Sequence, residues 1–400
     1  MSALELAQSL IKIKSISPKD GGCFELIEAE LSPLGFQIER IPELNCETLL
    51  AKYGDSGKVF CYLGHTDVVP SGPEEEWTSH PFEANIIDGE LIGRGAADMK
   101  GSVAVFIQSI KNFLADNPKP NFQIWVMLTS NEEGEPTDGK INTLIDSLSR
   151  QNQFIDYCLV GEASSSDMVG DVLRVGRRGS LSGKLKLIGK QGHVAYPHKV
   201  ISPILEVGPI IAELNQIIWD EGNEYFDPTS FQISNIESGT GATNVVPGHL
   251  NMLFNFRFSP ESTQESLKKR FIQILEKSKC TFEIDWTLNA QPYLTQKTEM
   301  LSIVQKALCK INGQEARIDN GGGTSDGRWF APSGSEVSEL GTRKQQIHQI
   351  DAKIALYERK HLKKRYKQKL ATTTKQESIK QRTLCRGDNT REKKTYKKQS

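Results

Sequence analysis

Three short apolar runs constrain this chain more than any other feature, because each stops at residues that can bind a metal or move a proton. Lys58 to Leu63 leads into Gly64-His65-Thr66-Asp67-Val68-Val69-Pro70, Phe122 to Leu128 into Thr129-Ser130-Asn131-Glu132-Glu133-Gly134, and Tyr157 to Val160 into Gly161-Glu162. Apolar stretches of this length, bounded by Gly and polar residues, read as buried strands. Helical segments separate them, which predicts an α/β fold with a mostly parallel sheet and a ligand site at the carboxyl ends of its strands.

Each group is ordinary by itself. A His-x-Asp pair is common on surfaces, and adjacent glutamates are usually solvated charge. Their recurrence at strand ends is what points to a metal. His65 and Asp67 are two apart, so on a strand they face the same way, the imidazole as a ligand and the carboxylate able to orient it. Of Glu132 and Glu133, one can face a metal and the other its water. Asp98 precedes the helical stripe Val103, Ile107, Ile110 and Leu114, where N-capping is the usual role of Asp; capping and metal binding do not exclude each other. His348 stands alone downstream. Imidazole and carboxylate donors suit zinc and similar divalent ions.

Around these strands the chain predicts a first helix capped by Ser2 and Glu5, a second from Cys23 to about Leu34, and strands near 36–40 and 48–53. From Gly179 the texture changes. Residues 181–189 alternate like an antiparallel strand, and Ser202-Pro203 opens a helix. Strands near 229–236 and 249–258, a helix over 261–277 and a strand at 281–288 complete a second, smaller α/β sandwich inserted into the first domain. The expected division is a catalytic domain over 1–178 and 292–355, an inserted domain over 179–291, and a tail over 356–400, with a last helix over 354–370. Gly321 to Arg328 is too glycine-rich for a helix and reads as a backbone cradle for an anionic group.

Four hundred residues suffice for two domains, and no apolar run approaches the roughly 20 residues needed to span a bilayer. Neither a secretory leader nor a membrane partner is therefore expected. Seven cysteines without a Cys-x-x-Cys fit a reducing cytoplasm. The net charge of −1 conceals a basic tail, because residues 341–400 hold 19 Lys+Arg against 5 Asp+Glu. Nucleic-acid binding would rest on that tail alone, which lacks interleaved aromatics; a solvated extension is the plainer reading.

Taken together these segments, with Gly93–Gly101, Gly176-Arg177-Arg178-Gly179-Ser180, Gly189 to His198, Gly239–Val246 and Gly323–Arg328, resemble the M20 family of dinuclear zinc aminoacylases and peptidases. The likeness runs from near residue 1 to about Gly341. It implies a zinc-peptidase-like mixed-sheet catalytic domain, an inserted dimerisation domain, a homodimer, and two Zn2+ per subunit for which Co2+ can substitute. It implies hydrolysis of an amide in a small-molecule substrate, with other deacylases and dipeptidases of the family as alternatives. By that likeness Asp98 bridges two ions; His65 and Glu162 complete one and Glu133 and His348 the other. Glu132 is the general base, Asp67 orients His65, and His193 is lent across the dimer to the oxyanion. Arg178, Tyr196, Asn244, Arg257, Gly323 and Thr324 match positions that hold substrate carboxylates. Lys344 departs from the pattern, standing where the family has Asn.

Overall fold

The three apolar runs become the strands Val59–His65, Gln123–Thr129 and Tyr157–Val160. The computed structural model describes residues 1–134, 141–295, 298–323 and 325–356. These divide into a large unit, Met1–Ile87 with Leu91–Ile354, and a small one of Asp88–Glu90 continuing from Ala355. In the small unit the Leu356 amide donates to the Gly89 carbonyl at 3.0 Å. Thr324 and the basic tail beyond residue 356 lie outside the described residues. Of the last helix expected over 354–370, the described part is instead extended, in the strand Lys353–Ala355.

The main sheet of the large unit has eight strands. Their order is Gln37–Glu43, Cys46–Tyr53, Gln123–Thr129, Val59–His65, Tyr157–Val160, Glu336–Glu339, Val172–Arg174 and Arg317–Asp319. The central four run parallel, and the neighbours on either side turn antiparallel, so the sheet is mixed. Parallel strands present their carboxyl ends at one edge. His65, Thr129, Val160 and Glu339 therefore end side by side, which is why residues far apart in sequence meet there.

Helix Ala3–Lys12 begins as its capping residues predict, with Ser2 accepting from the Glu5 amide and Glu5 from the Ser2 amide. Helix Gly101–Asp116 buries Val103, Ile107, Ile110 and Leu114. Asp98 is not its N-cap. That position falls to Lys100, and Asp98 lies upstream with φ −135° and ψ 95°, outside helical space. Its carboxylate is engaged by histidines instead. The glycine-rich stretch also differs from expectation. The Gly321 and Gly323 carbonyls accept from Arg177 Nη1, holding a cation, and the stretch closes into the short helix Gly327–Phe330.

A second sheet has four antiparallel strands in the order Ser230–Ser238, His249–Phe258, Gly179–Ile188 and Thr281–Ala290. Helices Pro203–Gln216 and Gln264–Leu275 supply Val207, Ile210, Leu214, Leu267 and Phe271 to its core. Along His249–Phe258 the buried residues are Leu250, Met252, Phe254, Phe256 and Phe258, the period of two that covers one face of a strand. Phe256 is fully buried, 4.7 Å from Trp219 and 4.9 Å from Phe231 between ring centres. Phe256→Ala should therefore cost about 3–5 kcal/mol of stability, read as a lower denaturation midpoint in urea.

Candidate metal centre

His65 closes its strand fully buried, and its Nδ1 lies 2.9 Å from the Asp67 carbonyl oxygen. The other nitrogen, Nε2, faces Asp98 Oδ1 at 3.2 Å and Glu162 Oε1 at 3.7 Å. The second oxygen of Asp98 lies 3.5 Å from His348 Nε2, which is 2.7 Å from Glu133 Oε1. Asp98 thus turns one oxygen to each histidine. Two ligands held about 2.1 Å from one tetrahedral ion stand roughly 3.4 Å apart, close to three of these four separations. His65, Asp98 and Glu133 form one group of candidate donors with ligand atoms within 4.8 Å of one another, and His65, Glu132 and Glu162 another.

The protonation pattern tells the same story. Burial, then the Asp326 charge, pushes the Glu132 carboxyl up to about 8. Burial and the Asp98 and Glu132 charges push Glu162 well above the carboxylate range. Hydrogen bonds to Asp98 and Glu133 raise His348 to about 10. Burial lowers His65, but Asp98, Asp67 and Glu162 outweigh it and raise it well above its ordinary value. Asp98 goes the other way: burial opposes its charge, yet the two histidines hold it well below the carboxylate range. Four carboxylates converge here with two imidazoles, and without a cation they share protons. A divalent ion at such a place makes every donor a better base-form ligand, so the donor set fits the metal chemistry.

The surroundings are built to this end. Gly64 and Gly161, the residues just before His65 and Glu162, flank the Met99 methyl. A Cβ on either would come within 2.6 Å and 2.5 Å of it. Met99 therefore sits between the two strand ends and brings its neighbour Asp98 between their side chains. Lys100, fully buried, donates to the Leu10 and Ile13 carbonyls at 2.9 and 2.8 Å and ties the same turn to the end of the first helix. Arg94 reaches the His348 and Gln349 carbonyls at 3.4 and 3.2 Å, pinning the segment in which His348 takes a left-handed φ of 61°.

Residues 61–368 match the model of peptidase family M20/M25/M40. The chain belongs to that family. The succinyl-diaminopimelate desuccinylase of Methylococcus capsulatus is 48% identical over 353 residues, 88% of this chain and 93% of that protein. The enzyme of the same name from Methylobacillus flagellatus is 46% identical, covering 91% and 96%. Among solved structures, an M20 family metallo-carboxypeptidase from Sulfolobus solfataricus superposes with a TM-score of 0.75 at 18% identity, over 89% of this chain and 95% of that one. A Bacillus subtilis protein described as a dinuclear metal binding peptidase from the M20 family gives 0.67 at 15% identity, covering 88% and 92%. At such identities the structures speak for the M20 fold alone, a mixed α/β architecture.

Within that fold the residues singled out in the sequence divide into three sets. His65, Asp98, Glu132, Glu133, Glu162 and His348 come together. Asp67 joins them differently from expectation: its main-chain carbonyl faces the imidazole, while its carboxylate, 3.6 Å from Nδ1, accepts the Glu132 and Glu133 amides at 3.1 Å each and the Ser17 hydroxyl. It thus fixes the turn carrying both glutamates.

Arg178 and Arg257 form the second set, near enough that the Arg178 charge, after burial, lowers the Arg257 guanidinium. His193, Tyr196 and Asn244 form the third, exposed where the short strands Gly192–His193 and Val245–Val246 pair: the Val194 amide donates to the Asn244 carbonyl and the His193 and Tyr196 rings lie 5.8 Å apart. Among the described residues their hydrogen bonds, that strand pairing apart, stay within 193–199 and 244 and do not reach the acidic cluster. Gly323 is held by Arg177, and Lys344 Nζ lies 3.9 Å from Asp319 Oδ2. Met99, Lys100, Arg94, Arg177 and Glu339 escaped the sequence reading, although two cations flanking an acid within Arg94–Lys100 were a visible sign of a buried turn.

The protonation pattern sets a pH dependence. Raised pKa values at His65, His348 and Glu162 favour their protonated forms in the metal-free chain, and ligation requires the deprotonated ones. Metal uptake should therefore release protons at pH 7 and tighten as pH rises, read by calorimetry in buffers of different ionisation heat; uptake without proton release would contradict this.

Proposed function

We propose that this chain is a two-zinc amide hydrolase that converts N-succinyl-LL-2,6-diaminopimelate and water to LL-2,6-diaminopimelate and succinate, within lysine and meso-diaminopimelate biosynthesis in the cytoplasm. One observation carries the reading: Asp98, with an oxygen toward each histidine, stands in a chain 46–48% identical to desuccinylases over about nine-tenths of its length. In this reading Asp98 would serve both ions, His65 and Glu162 would help hold one and Glu133 and His348 the other, and Co2+ could replace Zn2+. When bound, the ions polarise the amide carbonyl and acidify the attacking water.

The chain's own groups do the rest. Glu132 takes the water's proton and passes it to the departing amide nitrogen. Its amide and that of Glu133 are anchored on Asp67, so the base cannot swing away. Residues 179–291, with their own core, supply the dimerisation domain, and His193 from a second subunit donates to the developing oxyanion. Such a donor is worth about 3 kcal/mol. Tyr196 and Asn244 lie beside it around the same strand pair, and with Arg178, Arg257, Gly323 and Thr324 they hold the substrate carboxylates. Arginine suits that task, because its planar fork meets both carboxylate oxygens.

Succinate release from N-succinyl-LL-diaminopimelate, compared with deacylation of N-acetylornithine and hydrolysis of dipeptides, tests the substrate. Preference for either alternative would overturn the assignment within the family. Glu132→Gln should cut kcat by about 10²–10⁴ with metal content unchanged. His193→Ala should also cut kcat and retain metal. Mixing the two variants, with subunit exchange confirmed, should restore about a quarter of wild-type activity, because half the dimers then carry one intact site. No recovery would remove His193 from the neighbouring subunit's site.

A further inference from the structure

Beneath the glycine segment 321–323 lies an ion pair that the mechanism above does not use. Arg177 and Glu339 are 3% and 0% exposed. Arg177 Nε donates to Glu339 Oε1 at 2.9 Å, and Nη2 donates to Oε2. The remaining nitrogen, Nη1, donates to the carbonyls of Gly321 and Gly323 at 3.1 and 2.9 Å. Glu339 in turn accepts from the Ser325 hydroxyl, and from Tyr293 Oη at 3.0 Å. One guanidinium fork and one carboxylate thus tie down Gly321, Gly323 and Ser325. Gly322 permits the approach: its φ is +100°, and a Cβ there would lie 2.6 Å from Arg177 Nη1.

The segment held this way faces the site on its other side. Arg177 sits in the short strand Gly176–Arg177 paired to Tyr293–Leu294, and its neighbour Arg178 turns outward. Arg178, Asp319, Asn320 and Gly321 line a small, mostly polar cleft. At the segment's far end Asp326, next after Ser325, lies near enough to Glu132 for their charges to interact. The stretch from Gly321 to Asp326 therefore runs from the cleft of Arg178 at one end to the neighbourhood of the candidate base at the other.

We propose that Arg177, locked to Glu339, is a positioning residue that sets the glycine segment 321–323 and Ser325 against the substrate. It governs substrate affinity while touching neither substrate nor the reacting atoms. This rests on the amide-hydrolase reading above. Lysine cannot replace it, because a single ammonium cannot reach both carboxylate oxygens and two carbonyls at once.

The test uses the full-length, metal-loaded chain with two variants, Arg177→Lys and the milder Ser325→Ala. In Arg177→Lys, amide hydrogen exchange over 317–330 should accelerate about tenfold or more, while 59–65 and 123–129 keep their protection. KM for N-succinyl-LL-diaminopimelate should rise about tenfold with kcat within about threefold and metal content unchanged. Ser325→Ala should move both readouts the same way by less. Wild-type exchange at 317–330, or wild-type KM, in both variants would overturn the proposal. So would exchange rising throughout the chain together with loss of metal, which would mark the pair as generally structural. Were the wild-type chain inactive on this substrate, the function would fall while confined acceleration at 317–330 would still decide the positioning.

Discussion

The structure depends on keeping like charges together. Asp98, Glu132, Glu133 and Glu162 converge with two histidines in a largely buried place, an arrangement that repels itself unless protons or cations intervene. Asp98 resolves part of this by turning one oxygen to His65 and the other to His348. The remainder is resolved by rigidity. Met99 is fitted between the glycines preceding His65 and Glu162, Lys100 is tied to the first helix, and Arg94 grips the carbonyls at His348 and Gln349. Each of these three fixes a residue of the metal centre. A preorganised donor set is what lets a metal site keep its geometry when charges change during reaction.

A second level of support lies under the arginines. Burial alone would push the Glu339 carboxyl up, but Arg177 holds it below its ordinary range, so the pair is charged on both sides. A buried pair of this kind contributes little net stability, because desolvation offsets attraction. Its value is directional: a fork and a carboxylate can bind the main chain of a glycine segment that has few side chains of its own to pack. The four-stranded sheet follows a different logic. It is held by an apolar core of Phe254, Phe256, Phe271 and Trp286, while His193, Tyr196 and Asn244 lie exposed around a separate pair of short strands, Gly192–His193 and Val245–Val246.

Much of this was legible in the residues. Strand Tyr157–Val160, strand His249–Phe258 and the capped first helix lie where the patterns placed them, because each follows from local periodicity and hydrogen bonding that need no distant partner. The acidic strand ends His65, Glu132, Glu133 and Glu162 could be singled out for the same reason. For Asp98 the residues alone left N-capping and metal binding both open; the structure gives the cap to Lys100 and sets the Asp98 carboxylate between two histidines that no local pattern places beside it. Asp67 was read as orienting His65 through its side chain, and the structure gives that place to its carbonyl. Arg177 was passed over for Arg178, because neighbours in an extended segment point to opposite sides and the sequence does not say which side is inside.

Composition, period and spacing by themselves determined the strands, the helices, the order of the two sheets along the chain and the kind of chemistry the strand ends can support. Those are properties of residues near one another in sequence. Which oxygen of Asp98 meets which histidine, how Met99 spaces the two strand ends, and which arginine turns inward were decided only by tertiary structure. Each depends on groups tens to hundreds of residues apart being packed within a few ångströms, and no local pattern records that distance.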